Sequence, residues 1–531
     1  MSVSLVVDGQ PVEVPDDGSS LLEVLRDRLG LRSAKDGCSP QGQCGCCTVW
    51  IDGAPRVACV TPARRVAGRS VTTLEGLDPD RLESWADAFS ATGASQCGFC
   101  TPGIVMRLAA LQERGDGSVE ESAVERALAA HLCRCTGWRT IVDAARLAGS
   151  CQTGTTRAAA GRDLTAAARR AALEGGALQT VGPSVPLGQG GFADDTAPPD
   201  ALVAVPDGAG GWAVAETLRE ARAAAGKVQG RRSTIELQYP LEVPPGPWRQ
   251  TLRTTWVEPA YLETDASWCR PGGEPATPLA NGGAFGAKLA SPAPDVARRL
   301  ADEHGRPVRV LLSREDTVRL GPKRPPVAAG VGLDGTGVMR VVRTPGVADA
   351  VHSVAPGIIV EEVDVAGPPT SAAIRGAGWV ETAVLLAVLS GLRDDSGLER
   401  GSEMRVELGS GATAEASIAA DGAVGVRVSC GLPLDDVVLR SYCTGAAHMA
   451  LSWVRSEGLA VDEEGEPCDL TIRSFGILPA RETPAVHVEI VHSERSPVNG
   501  SDAVFAAVAA AAWLDAGLTQ DWPTGGPDRR G

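Results

Sequence analysis

The stretch Lys35–Gly53, KDGCSPQGQCGCCTVWIDG, sets Cys38, Cys44, Cys46 and Cys47 among Gly37, Gly42 and Gly45. Thiols crowded into a glycine-rich loop read as metal ligands, because glycine permits the backbone angles and close approach that a loop curled around a metal centre requires. Upstream, SLVVDGQPVEV predicts two short strands joined at Asp8-Gly9, a dipeptide suited to a tight hairpin turn. DGSSLLEVLRDRLGL follows as a helix capped by Ser19 or Ser20, with Leu21, Leu22, Leu25 and Leu29 on one face. Downstream come a strand, CTVWIDG, and a second, RVACV, ending at Cys59. Hairpin, helix, loop and strands in this order predict a small β-grasp domain with a metal loop on one edge.

A plant-type [2Fe–2S] centre uses Cys-x4-Cys-x2-Cys and a distant fourth cysteine. Cys38, Cys44, Cys47 and Cys59 reproduce this with one extra residue in the first gap. Cys46 is the alternative to Cys47, but it falls on the opposite side of the emerging strand. A second set follows. SQCGFCTPG carries Cys97 and Cys100, and LCRCTGW carries Cys133 and Cys135. Thr101-Pro102 opens a helix with Ile104, Val105, Leu108 and Leu111 on its apolar face, and two more helices are expected over Val119–Leu132 and Arg139–Leu147. Helix starts then face an anionic thiolate-bound centre. A zinc-binding module is the competing reading of these cysteines.

The 531 residues allow about three or four domains. A net charge of −16 argues against nucleic-acid or anionic-membrane binding. MSVSLVVDGQPVEVPDDG lacks the features of a signal peptide, and DAVFAAVAAAAWLDAG is too short to span a membrane. A cytoplasmic location is therefore expected, where thiols stay reduced and fourteen cysteines point to metal before disulfides. Cys269, Cys430, Cys443 and Cys468 are scattered and read as small buried hydrophobes. The six histidines show no metal-ligand spacing.

GCSPQGQCGCCTV, QCGFCTPG and LCRCTGW together resemble the iron–sulfur module of the molybdenum hydroxylases, the xanthine dehydrogenase/aldehyde oxidase family. The resemblance covers about the first 150 residues. It implies two [2Fe–2S] clusters, one held by Cys38, Cys44, Cys47 and Cys59 and one by Cys97, Cys100, Cys133 and Cys135. It also implies that Gln96, beside the helical cluster, meets a molybdopterin cofactor. Further on, GGFADD, VEPAYLET, GGAFGAK, RPVRVLLSRED with KRPP after it, IRGAGWVE and SPVNGSDAVFAAVAAA resemble, in order, phrases of the family's molybdopterin-binding part. Gly283, Phe285 and Arg375 are the cofactor-binding candidates this implies, and Asp502 stands at the position read as the family's catalytic glutamate.

The expected fold is α+β and multidomain. A β-grasp ferredoxin-like domain spans residues 1–78, a four-helix [2Fe–2S] domain 79–150, and a linker with one helix near Leu164–Leu173 spans 151–189. A mixed α/β molybdopterin-binding-like region covers 190–522, and a tail 523–531. The chain also departs from the family pattern. The last part is shorter, Val257 replaces a glutamine, Asp502 replaces a glutamate, and GQGG at Gly188–Gly191 comes too early for the pterin phosphate loop. On its residues alone, GGAFGAK is a turn between strand and helix, Asp502 a helix cap, and Arg375 a partner for an acid.

Three functions follow as expectations. The first is an electron carrier with two clusters and a decayed molybdenum half. The second is an active molybdopterin-dependent hydroxylase of an aldehyde or N-heterocycle. The third is the structural zinc module. No FAD domain of the family type is read in the chain, so a separate flavoprotein or other acceptor is the expected partner, with a small-molecule substrate under the second reading.

Overall fold

Asp8 and Gly9 both take positive φ, 49° and 78°, and so close a hairpin turn between β1 (Ser2–Val7) and β2 (Gln10–Pro15). The computed structural model describes residues 2–115, 120–149, 161–226, 230, 236–279, 283–393 and 398–525. Part of the helix expected at Val119–Leu132 and Gly282 of the GGAFGAK loop lie outside them. β3 (Thr48–Ile51), β4 (Ala54–Val57) and β5 (Ser70–Thr72) complete a sheet of order β2-β1-β5-β3-β4, in which β1 and β5 run parallel. Ser20, of the two serines considered, caps the helical turn Leu21–Glu23, and the Glu23 carboxylate answers back to the Ser20 N–H. Cys59 falls in the turn just past β4 rather than inside a strand.

Four helices follow: α1 (Pro79–Thr92), α2 (Thr101–Arg114), α3 (Glu121–Ala127) and α4 (Arg139–Gly149). Asp78 caps α1 ahead of Pro79, and Gly93 ends it in the left-handed region. The described part of the segment after residue 150 is packed rather than loose. Within α5 (Leu164–Gly175), Arg170 and Glu174 form an ion pair with both side chains fully buried.

The remaining chain builds three further sheets. β6 (Leu202–Pro206), β7 (Trp212–Ala215), β9 (Ala266–Cys269) and β10 (Val308–Leu311) form one of order β7-β6-β10-β9. The next, of order β13-β12-β11-β8-β18, contains β8 (Gln250–Thr254), β11 (Val327–Val331), β12 (Gly337–Val342), β13 (Ile358–Val363) and β18 (Asp521–Trp522). The last, β14-β15-β16-β17, contains β14 (Met404–Glu407), β15 (Thr413–Ile418), β16 (Val424–Ser429) and β17 (Val486–Ile490).

The helix Ser501–Asp515 is apolar almost all round and is accordingly buried, packed against Asp436–Arg455, Trp379–Arg393 and β15. Its small alanines allow those neighbours to come close. One continuous core runs from Val3 and Leu5 of the first sheet through the four helices to Trp256, Leu459 and Phe475, so the C-terminal part packs directly on the cysteine-bearing part. Among the described residues, no helix is long and apolar enough to cross a membrane.

Glu174 also accepts hydrogen bonds from the backbone N–H groups of Gly500 and Ser501, which fixes the start of the Ser501–Asp515 helix. Glu174→Ala therefore leaves Arg170 charged and unpaired in the interior, and stability is expected to fall by about 3–5 kcal/mol. Glu489→Ala, which removes a surface partner of Arg427, is expected to cost less than about 1 kcal/mol. Thermal unfolding of both variants checks the contrast.

Candidate functional site

Cys38, Cys44, Cys47 and Cys59 gather in one buried pocket. The Cys38 thiol faces those of Cys44 and Cys59, and Cys59 in turn faces Cys47. Backbone donors also reach the sulfurs: Gln43 N–H lies 3.4 Å from Cys38 Sγ, and Cys59 N–H lies 3.5 Å from Cys47 Sγ. The second set forms two pairs, with Cys97 Sγ and Cys135 Sγ 3.6 Å apart and Cys100 against Cys133. Thr136 Oγ1 lies 3.1 Å from Cys133 Sγ. Cys269, Cys430, Cys443 and Cys468 are all buried.

The electrostatics of these sets suit a cation. Hydrogen bonds from Cys44 and Cys59 hold the Cys38 thiol far down, at about 2. Contacts with Cys38 and Cys46 push Cys44 well up, and contacts with Cys38 and Cys47 do the same to Cys59. In the second set, Cys133 is drawn to about 6 by the Cys100 hydrogen bond, while Cys100 and Cys135 are raised. Neighbouring thiols thus share protons, and burial opposes several bare thiolates side by side. The four thiols of each set would become thiolates with iron bound in place of the protons. Four mutually facing thiols in each pocket, with N–H groups on the sulfurs, fit a two-iron cluster.

Cys46 also meets the first set, its thiol contacting that of Cys44. It is fully buried with its sulfur 3.9 Å from Cys44 O, and its charge is felt at Cys100 and Cys133 of the other set. It therefore lies between the two pockets. A residue that sequence reasoning passed over, His131, holds this junction. A Cβ on Gly45, whose φ is 77°, would stand 2.6 Å from His131 Cγ, and the ring nitrogen Nε2 lies 3.2 Å from Thr48 Oγ1. Burial depresses His131 to about 3, so the ring is neutral at physiological pH. A Cβ on Gly103, at the start of α2, would stand 2.9 Å from the Cys46 backbone. Loop and helix are pressed together with no room for a side chain. Spacing rules hid His131, because it acts by shape and not as a ligand.

The candidates of the C-terminal part are held by protein groups. Gln96 Nε2 donates to Cys135 O at 3.0 Å and to Ser441 O at 3.1 Å. A Cβ on Gly283 would stand 2.9 Å from Cys97 Cβ, and one on Gly286 would run into the Ala373 carbonyl. Arg375 donates through Nε to Asp502 Oδ1 at 2.7 Å and lies 5.1 Å over the Phe285 ring. Asp502 occupies the first turn of its helix, and Gly500 stands at the cap. The cavity beside Phe285 and Arg375 measures about 30 Å³, that beside Gln96 about 30 Å³, and that beside Gly283 about 10 Å³. Sites for ligands of cofactor size run to roughly 300–1,000 Å³. These residues do not leave room for molybdopterin. A larger cavity lies elsewhere, about 270 Å³, and is bordered by Cys59, Phe99, Phe192, Arg26, Arg222 and Arg309.

Comparison with known proteins agrees with the two cysteine pockets. Residues 5–64 match the family described as 2Fe-2S iron-sulfur cluster binding domain, and residues 73–146 match the [2Fe-2S] binding domain. The xanthine dehydrogenase iron-sulfur-binding subunit of Escherichia coli is 38% identical over 148 residues, 27% of this chain and 91% of that one. The nicotine 6-hydroxylase small subunit of Paenarthrobacter nicotinovorans is 39% identical over 145 residues, 27% of this chain and 87% of that one. Of xanthine dehydrogenase 2 of Arabidopsis thaliana, 38% identical over 161 residues, the match covers 12% of the length. The chain belongs to the molybdenum hydroxylase family. Its overall fold is that of the aldehyde oxidoreductase from Desulfovibrio gigas, with TM-score 0.69, 14% identity and 99% of each chain covered.

Cys47→Ala is expected to abolish iron in the first pocket, halving the iron per chain. Cys46→Ala is expected to leave iron content unchanged. Iron assays on the two purified variants separate the ligand from its neighbour.

Proposed function

We propose that this chain carries electrons through two [2Fe–2S] clusters, with a C-terminal half that acts as scaffold and not as a molybdenum enzyme. One observation carries the reading. Eight thiols, all but Cys97 buried, gather in two adjoining pockets, while the phrases that resemble a pterin site enclose about 30 Å³. Cys38, Cys44, Cys47 and Cys59 would hold one cluster, and Cys97, Cys100, Cys133 and Cys135 the other. Each cluster, when bound, accepts and returns single electrons.

The protein's part is to place and dry the two pockets. The interlock of Gly45, His131 and Gly103 keeps them adjacent. Phe99, between Cys97 and Cys100 in the chain, packs edge-on against Phe192 at 5.1 Å, and both rings line the cavity beside Cys59. The 270 Å³ cavity there gives an electron partner its nearest approach to the first pocket. Relatives named as single subunits support a separate partner, a flavoprotein or another acceptor. A net charge of −16 favours a basic docking face on that partner.

Metal analysis of anaerobically purified protein tests the reading. About four iron atoms per chain with no molybdenum are expected from two two-iron clusters. One molybdenum per chain would favour the hydroxylase instead. Zinc without iron would end both.

A further inference from the structure

The arginine chamber beneath the Ser501–Asp515 helix has a charge that the fold leaves unanswered. Arg134, Arg324 and Arg375 converge on the 30 Å³ cavity, with Phe285, Trp453 and Phe505 as its apolar walls. All three guanidinium groups are buried. Arg134 is matched by Glu457, through both terminal nitrogens. Arg375 is matched by Asp502, and its Nη2 reaches Ser501 Oγ. Arg324 has no such partner among the described residues. Its Nη2 donates to the Arg375 carbonyl, and its guanidinium lies 4.2 Å from the Trp453 ring and 5.3 Å from the Phe505 ring.

Two donors remain open. Nη1 of Arg324 and Nη1 of Arg375 are buried with no hydrogen-bond partner among the described residues. Burial lowers Arg324 to about 10, with the Arg134 and Arg375 charges acting in the same direction, so it is still cationic at neutral pH. The acid that answers it most strongly is Glu381, fully buried and pushed up to about 7 by that burial. This carboxyl forms no ion pair with Arg324 and is only partly ionised at neutral pH. Water in the chamber would satisfy the two open N–H groups but would leave the charge standing.

We propose that the chamber binds one small monovalent inorganic anion, of the halide or nitrate class, between Arg324 and Arg375. With Glu381 protonated, the chamber carries an excess of one positive charge, and that sets the valence. The volume sets the size, since a single water needs at least about 10–15 Å³ by the same measure. The anion ties the Arg324 loop to the Arg375 turn and so stabilises the C-terminal half. This inference does not depend on whether the thiol pockets carry electrons.

The probe is bromide. Crystals of the whole chain grown in sodium bromide are expected to show a bromine anomalous peak within hydrogen-bond reach of both Nη1 atoms. The melting temperature is expected to rise saturably with bromide and not with sodium sulfate at equal ionic strength. Arg324→Met is expected to lose the saturable part. Glu381→Gln, which removes the competing carboxylate while keeping the volume, is expected to bind bromide several-fold more tightly. Wild-type crystals with water alone in the chamber at saturating bromide, or a melting curve that follows sulfate equally, would overturn the proposal without relying on any variant.

Discussion

Eight thiols side by side, all but Cys97 buried, cannot all carry charge unless a cation joins them, and this constraint organises the N-terminal part of the structure. Burial and mutual contact keep some of the thiols protonated and drive others down. Iron bound in these pockets would relieve the conflict by supplying the positive charge in place of protons. The surrounding packing follows from the same need. Gly45 and Gly103 bring loop and helix close enough for the two pockets to adjoin, and the neutral His131 ring fills the remaining space without adding charge.

Much of this was legible in the sequence, because ligand chemistry is local. Cysteine spacing in a loop fixes which thiols share a pocket, and the hairpin at Asp8-Gly9 and the helix start at Thr101-Pro102 are set by their own residues. Strand alternation favours Cys47 over Cys46, and in the structure the Cys47 thiol meets Cys59 while the Cys46 thiol meets Cys44. The C-terminal part was less legible. Its phrases resemble a family site, but the space between them depends on contacts far apart in sequence. Glu457 meets Arg134 across 323 residues, and Asp502 meets Arg375 across 127. No local pattern announces that these pairs close the cavity. Arg324 lies in the phrase KRPP, yet its missing counter-charge is visible only in three dimensions.

The two halves therefore use charge in opposite ways. The thiol pockets present an incipient negative charge that calls for metal, and the C-terminal chamber presents positive charge among aromatic walls. Arg134 stands between Cys133 and Cys135 and is clamped to Glu457, so the helical pocket and the chamber share a wall. That shared wall accounts for the continuous core through both parts: the C-terminal half shields the second pocket whatever else it does.

The most direct test of the account is electron paramagnetic resonance of the anaerobically reduced protein. Two distinct [2Fe–2S] signals, integrating to two spins per chain and broadened by each other's proximity, are the predicted result. A folded protein that shows neither signal after reconstitution with iron and sulfide would contradict it.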